Sequence, residues 1–180
     1  MSLLDHLTDP AQLRGMSNPE LDRLAQELRE KMIRTVSTTG GHLASSLGAV
    51  EIALALHRVV DSPRDRIVWD TGHQAYAHKL LTGRAERFDT LRQVDGVGGF
   101  PRRSESEHDV FDGGHAGTGV GIGLGLAAAR DLLPEGDPRR GQRIAVVVGD
   151  AALQSGLTME ALNHLGHTKH RLLIVLNDNE

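Results

Sequence analysis

Ile144-Ala145-Val146-Val147-Val148-Gly149-Asp150 and Leu172-Leu173-Ile174-Val175-Leu176-Asn177-Asp178-Asn179 are the two stretches that decide the fold. Each is a short apolar run, largely β-branched, that stops on a polar turn. That is the pattern of a strand covered on both faces. Between them Met159–Gly166 reads as a helix, so the order is strand, polar turn, helix, strand. Such an order builds a right-handed βαβ unit on a parallel sheet. A third strand is expected at Arg66-Ile67-Val68-Trp69-Asp70, followed at once by Thr71-Gly72-His73. The fold class predicted is α/β, a parallel sheet with helices on both faces.

Outward from these strands, Ser17-Asn18-Pro19-Glu20 opens a helix, with Asn18 as cap and Pro19 in the first helical position. Leu21, Leu24, Ala25, Leu28, Met32 and Ile33 recur along it at helical spacing. A second helix is expected from about Gly48 to Val60, stopped by Asp61-Ser62-Pro63, and a third stretch after His73 to Leu81. Residues 85–112 are polar and irregular, an ordered excursion or loop. Gly113–Ala129 reads as a glycine-rich loop entering a tightly packed helix, and 132–141 as a surface turn. No repeat or low-complexity linker divides the chain, so one domain is expected.

The 180 residues carry 20 Lys+Arg against 24 Asp+Glu, a net charge of −4. No basic field draws nucleic acid or an anionic membrane. The absence of cysteine excludes disulfides, zinc ribbons, iron–sulfur clusters and a thiol nucleophile. No apolar run approaches the roughly 18 residues of a membrane span. Met1–Pro10 has no targeting character, so a soluble, cytoplasmic protein is expected.

In open parallel sheets ligands sit outside the carboxyl ends of the strands. Asp70-Thr71-Gly72-His73, Gly149-Asp150-Ala151-Ala152 and Asn177-Asp178-Asn179 all fall there. A carboxylate and an amide oxygen from neighbouring strand ends make a hard oxygen site. Mg²⁺ uses one or two such ligands and completes its octahedron with phosphate oxygens and water. Gly149 permits a sharp turn, and the helix start after it offers N–H groups to a diphosphate. The plainer reading makes Asp150 a helix cap and the asparagines turn formers. The pairing of Asp150 with Asn179 across one βαβ unit favours the metal site.

Gly149-Asp150 with Asn177-Asp178-Asn179 resembles the metal and diphosphate motif of thiamine-diphosphate enzymes. Further blocks are Gly40-Gly41-His42-Leu43-Ala44-Ser45-Ser46-Leu47-Gly48, Ile67-Val68-Trp69-Asp70-Thr71-Gly72-His73-Gln74-Ala75-Tyr76 and Lys79-Leu80-Leu81-Thr82-Gly83. Arg103-Ser104-Glu105-Ser106-Glu107, Gly114-His115 and the closing Asn-Asp-Asn-Glu follow in the same order. With these, nearly the whole chain resembles the N-terminal part of the 1-deoxy-D-xylulose-5-phosphate synthases. The resemblance implies decarboxylation of pyruvate on thiamine diphosphate and transfer of the two-carbon unit to D-glyceraldehyde 3-phosphate. It implies a diphosphate-binding domain over residues 1–180, with Asp150 and Asn179 as Mg²⁺ ligands and His42 and His73 as catalytic groups that donate or relay protons. His73, Gly114, His115, Ala116, Ala151, Ala152 and Asn179 would touch the cofactor. It implies a homodimer for the full-length enzyme.

The chain departs from the family where the cofactor would lie. After Gly114-His115 the family usually has two serines, a threonine and a serine. Here stand Ala116, Gly117, Thr118 and Gly119, so hydroxyls are lost. Ala151 replaces the second glycine of the Gly-Asp-Gly turn, a strain if that turn needs φ > 0. Gln154-Ser155-Gly156 also departs. The family's adjoining domain, which supplies the glutamate that activates the aminopyrimidine, and its third domain are not in these 180 residues. Nor is the metal-liganding position two residues past Asn179. A domain truncated at its C-terminal end is therefore expected. A non-catalytic binding module and the N-terminal subunit of a split enzyme are the other readings.

Three patterns are set aside. Gly123-Leu124-Gly125-Leu126-Ala127-Ala128 lacks the strand before it that a dinucleotide fingerprint needs, so close helix packing is expected. His164, His167 and His170 fall at a helix end without a common face, so a zinc site is not expected. His57 and His78 are read as ordinary amphipathic-helix residues.

Overall fold

A computed structural model describes residues 2–179. Its single sheet has three parallel strands in the order β1 (Arg66–Trp69), β2 (Ile144–Gly149) and β3 (Leu173–Asn177). Val68 pairs with Val146 and Val146 with Ile174, so same-parity residues stand in rows across the sheet. Alternation along each strand then feeds two cores.

Ile67, Trp69, Ala145 and Val147 face the larger core. It is closed by α1 (Asn18–Thr39), α2 (Leu43–Leu47), α3 (Val50–Val59) and α4 (Tyr76–Lys79). Val68 and Val146 face the smaller one, covered by α5 (Gly119–Asp131) and, beyond α6 (Asp150–Leu153), by α7 (Gly156–Thr168). Helices on both faces of a parallel sheet are thus observed as expected. Gly123 brings α5 down onto β2, because a Cβ there would overlap Val146. Within that run Gly123 serves helix packing, whereas a Cβ on Gly125 would meet open space.

Several elements differ from expectation. The cap of α1 is Ser17, and Asn18 is already helical. Glu20 accepts hydrogen bonds from Ser17 N at 2.8 Å and Ser17 Oγ at 2.6 Å, closing a capping box that fixes the start one residue earlier. The helix expected from about Gly48 to Val60 is α3, and a short unexpected helix, α2, precedes it across Gly48-Ala49. α4 gives way after Lys79 to a wide π-type turn over Leu80–Arg84, with Gly83 at φ +84°. β2 is sealed on both faces, but β3 is not: Leu173 and Leu176 are each 50% exposed. β2 has strand neighbours on both sides, whereas β3 pairs on one side only.

Candidate functional site at the carboxyl edge of the sheet

The three polar turns meet as the parallel register requires. Asp70 N donates to Val147 O at 2.8 Å, and Gly149 stands opposite Asn177. Asp70, Gly149 and Asn177 therefore lie side by side along one edge.

Asp70 is taken up by the fold. Its Oδ1 accepts from Gly117 N at 2.8 Å and its Oδ2 from Gly119 N at 2.7 Å, which ties the entry of α5 to the end of β1. Gly117 has φ +81°, and a Cβ on it would overlap Ser155. A Cβ on Gly119 would lie 2.8 Å from the Asp70 side chain. The departures from the family pattern at 117 and 119 are thus glycines that the local backbone uses. Gly114, His115 and Ala116 are exposed at the rim beside this tie.

His42 and His73 come together, although 31 positions of chain contain two helices and a strand between them. Their rings stand 5.6 Å apart at 73°, and Phe100 lies 5.9 Å from His42 on another side. Gly41, at φ +146°, makes the approach feasible: a Cβ there would sit 2.7 Å from Tyr76 Oη. That same hydroxyl accepts from His42 N at 3.3 Å. Ser46 Oγ holds the backbone of the second histidine by donating to His73 O at 3.0 Å. His73 is half-buried. Burial, aided by the nearby His42, pushes its pKa below the usual histidine range, so the ring is neutral at neutral pH. Its Nδ1 is buried and has no partner among the described residues.

Asp150 is the first residue of α6, with Gly149 as the cap. Its exposed carboxylate accepts no hydrogen bond among the described residues, so the plain reading as a capping side chain does not hold. Ala151 lies in the helix and is not among the residues with positive φ, so its Cβ carries no backbone strain. Ala152 is buried, and its carbonyl accepts from Thr158 Oγ1 at 2.8 Å. Asn177 is buried and spans from β3 to the turn after β1, donating to Gln74 Oε1 at 2.8 Å. Asn179 leans over α2: its Nδ2 donates to Ala44 O at 3.5 Å, and a Cβ on Gly48 would overlap its amide. No hydrogen bond joins Asp150 to Asn179, and Glu180 lies outside the described residues.

These residues suit a phosphorylated, metal-bound group. A free carboxylate and an amide oxygen on adjacent strand ends are hard donors, and a turn of small residues separates them. His73, whose buried Nδ1 has no partner among the described residues, follows the end of β1. A cleft of about 800 Å³ lies elsewhere: Val59, Arg130, Arg143, His170 and Leu173 line it at the opposite end of the strands. Volume is a poorer guide here than polar chemistry.

His57 and His78 are not ordinary amphipathic-helix residues; both are buried. Their rings stack with centroids 5.1 Å apart, His57 Nε2 and His78 Nδ1 share a hydrogen bond of 2.9 Å, and His78 Nε2 meets Asp109 Oδ1 at 3.1 Å. Arg84 bonds both oxygens of Asp109, at 2.7 and 3.1 Å, and reaches Glu105 at 3.0 Å. Lys79 closes the cluster on Glu105. Burial raises the carboxyl of Asp109, but bonds from His78 and Arg84 outweigh it and hold the group well below the usual carboxylate range. Burial pushes His78 down to about 4. The available signal was two blocks of opposite charge, Lys79 and Arg84 in the largely apolar stretch after His73, and Glu105 and Asp109 in the polar 85–112 segment. Among the described residues no group of three or more His, Cys, Asp or Glu is placed to hold an ion.

Fold and edge together define the class. With the transketolase from Leishmania mexicana the structure superposes at a TM-score of 0.75, with 21% identity over 87% of this chain and 27% of that one. With the transketolase from Campylobacter jejuni the values are 0.69, 24%, 88% and 28%. The fold is therefore transketolase-like. More narrowly, the family model described as 1-deoxy-D-xylulose-5-phosphate synthase matches residues 4–180. A protein of that name from Syntrophotalea carbinolica is 55% identical across 100% of this chain, and one from Geobacter metallireducens is 54% identical across 99%. The chain belongs to the 1-deoxy-D-xylulose-5-phosphate synthase family and corresponds to its N-terminal part. It spans 28% of the length of these curated relatives. No helix among the described residues is long and apolar enough to cross a membrane.

Proposed function

We propose that this chain supplies the diphosphate- and metal-holding half of a thiamine-diphosphate- and Mg²⁺-dependent transferase. In this reading the whole enzyme condenses pyruvate with D-glyceraldehyde 3-phosphate to 1-deoxy-D-xylulose 5-phosphate and CO₂. It works as a homodimer or with a complementing chain, and residues 1–180 are its N-terminal diphosphate domain. The observation that carries the reading is the open His42–His73 pair, with an unpaired buried nitrogen, on the edge that also presents the free Asp150 carboxylate.

When bound, thiamine diphosphate supplies the nucleophilic carbon and the electron sink that decarboxylation of pyruvate requires. Asp150 and Asn179 would hold the Mg²⁺ that neutralises the diphosphate. Ala151 and Ala152 would form the turn against the phosphates, and Gly114, His115 and Ala116 would also touch the cofactor. His73, neutral near pH 7, can accept a proton or hydrogen-bond through Nδ1. His42 stands exposed beside it. Together they serve as acid and base at substrate oxygens, work suited to histidine.

Calorimetry of the full-length protein with thiamine diphosphate and Mg²⁺ tests the reading. Asp150→Ala is expected to weaken Mg²⁺-dependent cofactor binding at least about 10-fold, the scale seen for removing even an outer partner of a metal. Binding unaffected by Asp150→Ala would overturn the site. Binding absent from the unaltered protein would favour a non-catalytic module.

A further inference from the structure

Phe100 and Pro101 form one wall of the histidine edge. The Phe100 ring lies against His42, and the Pro101 ring packs on Gly72, where a Cβ would collide with it. Gly72, at φ +85°, directly precedes His73. The wall belongs to the irregular 85–112 excursion, and neither ring is held by regular secondary structure.

Two backbone amides bracket these residues, and each donates to a carboxylate of the buried cluster. Gly98 N donates to Glu105 Oε2 at 2.7 Å, and Arg102 N to Asp109 Oδ2 at 2.8 Å. The remaining capacity of both carboxylates is anchored below, on Lys79 and Arg84 for Glu105 and on Arg84 and His78 for Asp109. All three cationic or ring partners stand on α4 or the wide turn that continues it. α4 begins at Tyr76, whose hydroxyl holds His42 N. On the far side, Gly113 N donates to Pro101 O at 2.9 Å, which joins the wall to the glycine segment that Asp70 fastens.

We propose that Asp109 and Glu105 are positioning residues, a two-point clamp on Gly98 and Arg102 that fixes the Phe100–Pro101 wall against His42 and Gly72. The clamp rests on the reading of the His42–His73 edge as the active site. It acts through backbone amides and touches no reacting atom. Hydrogen bonds to a carboxylate are stronger than neutral ones, and inside the fold they are not shared with water. That is why a loop without helix or strand can hold one height above a histidine pair.

The test uses Asp109→Asn in the full-length protein, with Glu105→Gln at the less buried end of the cluster as the second variant. Hydrogen exchange, read by mass spectrometry, is compared between a peptide covering 97–113 and peptides covering β1 and β2. Expected is at least a 10-fold faster exchange in 97–113 with β1 and β2 still protected. Alongside, kcat for pyruvate consumption should fall at least 10-fold, with the dissociation constant for thiamine diphosphate within about 2-fold. If both variants loosen 97–113 only together with the strands, the cluster is merely structural and the proposal fails. It fails equally if the loop loosens and kcat is unchanged, or if the loop does not loosen. Should the unaltered protein consume no pyruvate, the functional reading fails instead. The 5.9 Å Phe100–His42 contact then replaces kcat as the readout: its ring-current shift on the His42 C–H resonances must diminish in the variants, or the clamp is wrong too.

Discussion

The molecule holds two histidine pairs, and they differ in nearly every physical respect. His42 and His73 meet edge-on at 5.6 Å without a hydrogen bond between their rings, one exposed and one half-buried. His57 and His78 stack at 5.1 Å, share a hydrogen bond, and lie sealed beneath Asp109 and Arg84. Each pair leaves one buried ring nitrogen without a partner among the described residues, His73 Nδ1 and His57 Nδ1. An orphaned nitrogen therefore does not identify a site by itself. Access does: the first pair stands at a strand-end edge beside a free carboxylate, and the second at the bottom of a core.

Exchanging function for stability between the pairs is the sharpest way to break this comparison. His73→Ala should lower turnover of the full-length enzyme by about 10²- to 10⁴-fold, the range for loss of an acid–base group. Its unfolding midpoint should barely move. His78→Ala should do the reverse, costing about 3 kcal/mol through a core cavity and an Asp109 oxygen left with one fewer partner. Steady-state kinetics and urea unfolding of both variants settle it; a large stability loss in His73→Ala would erase the distinction.

Acid should also find the sealed pair first. The folded pKa of His78, about 4, lies below its usual 6.5, so between those values the unfolded chain binds a proton that the folded chain refuses. Stability is then fully present above about pH 6.5 and is lost as pH falls towards 4. His57, lowered mainly by burial and also by His78, acts in the same direction. Urea midpoints at pH 7 and pH 5 should differ by about 2 kcal/mol of stability for His78 alone. In His78→Phe that difference should shrink, and an unchanged difference would assign the titration elsewhere. The smallest effect is expected at Gly41→Ala. Its positive φ and the nearby Tyr76 hydroxyl predict a loss of about 1–2 kcal/mol and a displaced His42, read by thermal unfolding and turnover.

What was legible in the chain follows from what is local. The apolar runs at 66–69, 144–148 and 172–176 announce strands because burial on two faces leaves no room for polar alternation. The parallel order follows from the helix between them. Strand-end residues Asp150 and Asn179 were identifiable because a parallel sheet delivers its turns to one edge. The helix start at 17–20 was legible too, but its capping box needed Glu20 to be read with Ser17 rather than Asn18 with Pro19. His57 and His78 were misread because helical periodicity reports which face is apolar and not what a distant loop will place on it. Asp109, 31 positions beyond His78, decides their surroundings. Asp70 was grouped with the ligand-facing turns, yet two glycine amides from the entry of α5 occupy it.

By itself, then, the sequence determined the α/β class, the family and the edge on which polar residues gather. These depend on periodicity and on short contiguous blocks, which act over a few residues. Only the tertiary structure decided which histidines are open, which carboxylate is free and which are clamped. Those outcomes depend on desolvation and on hydrogen bonds between segments far apart in the chain, and a polar side chain has no intrinsic property that says whether the fold will satisfy it.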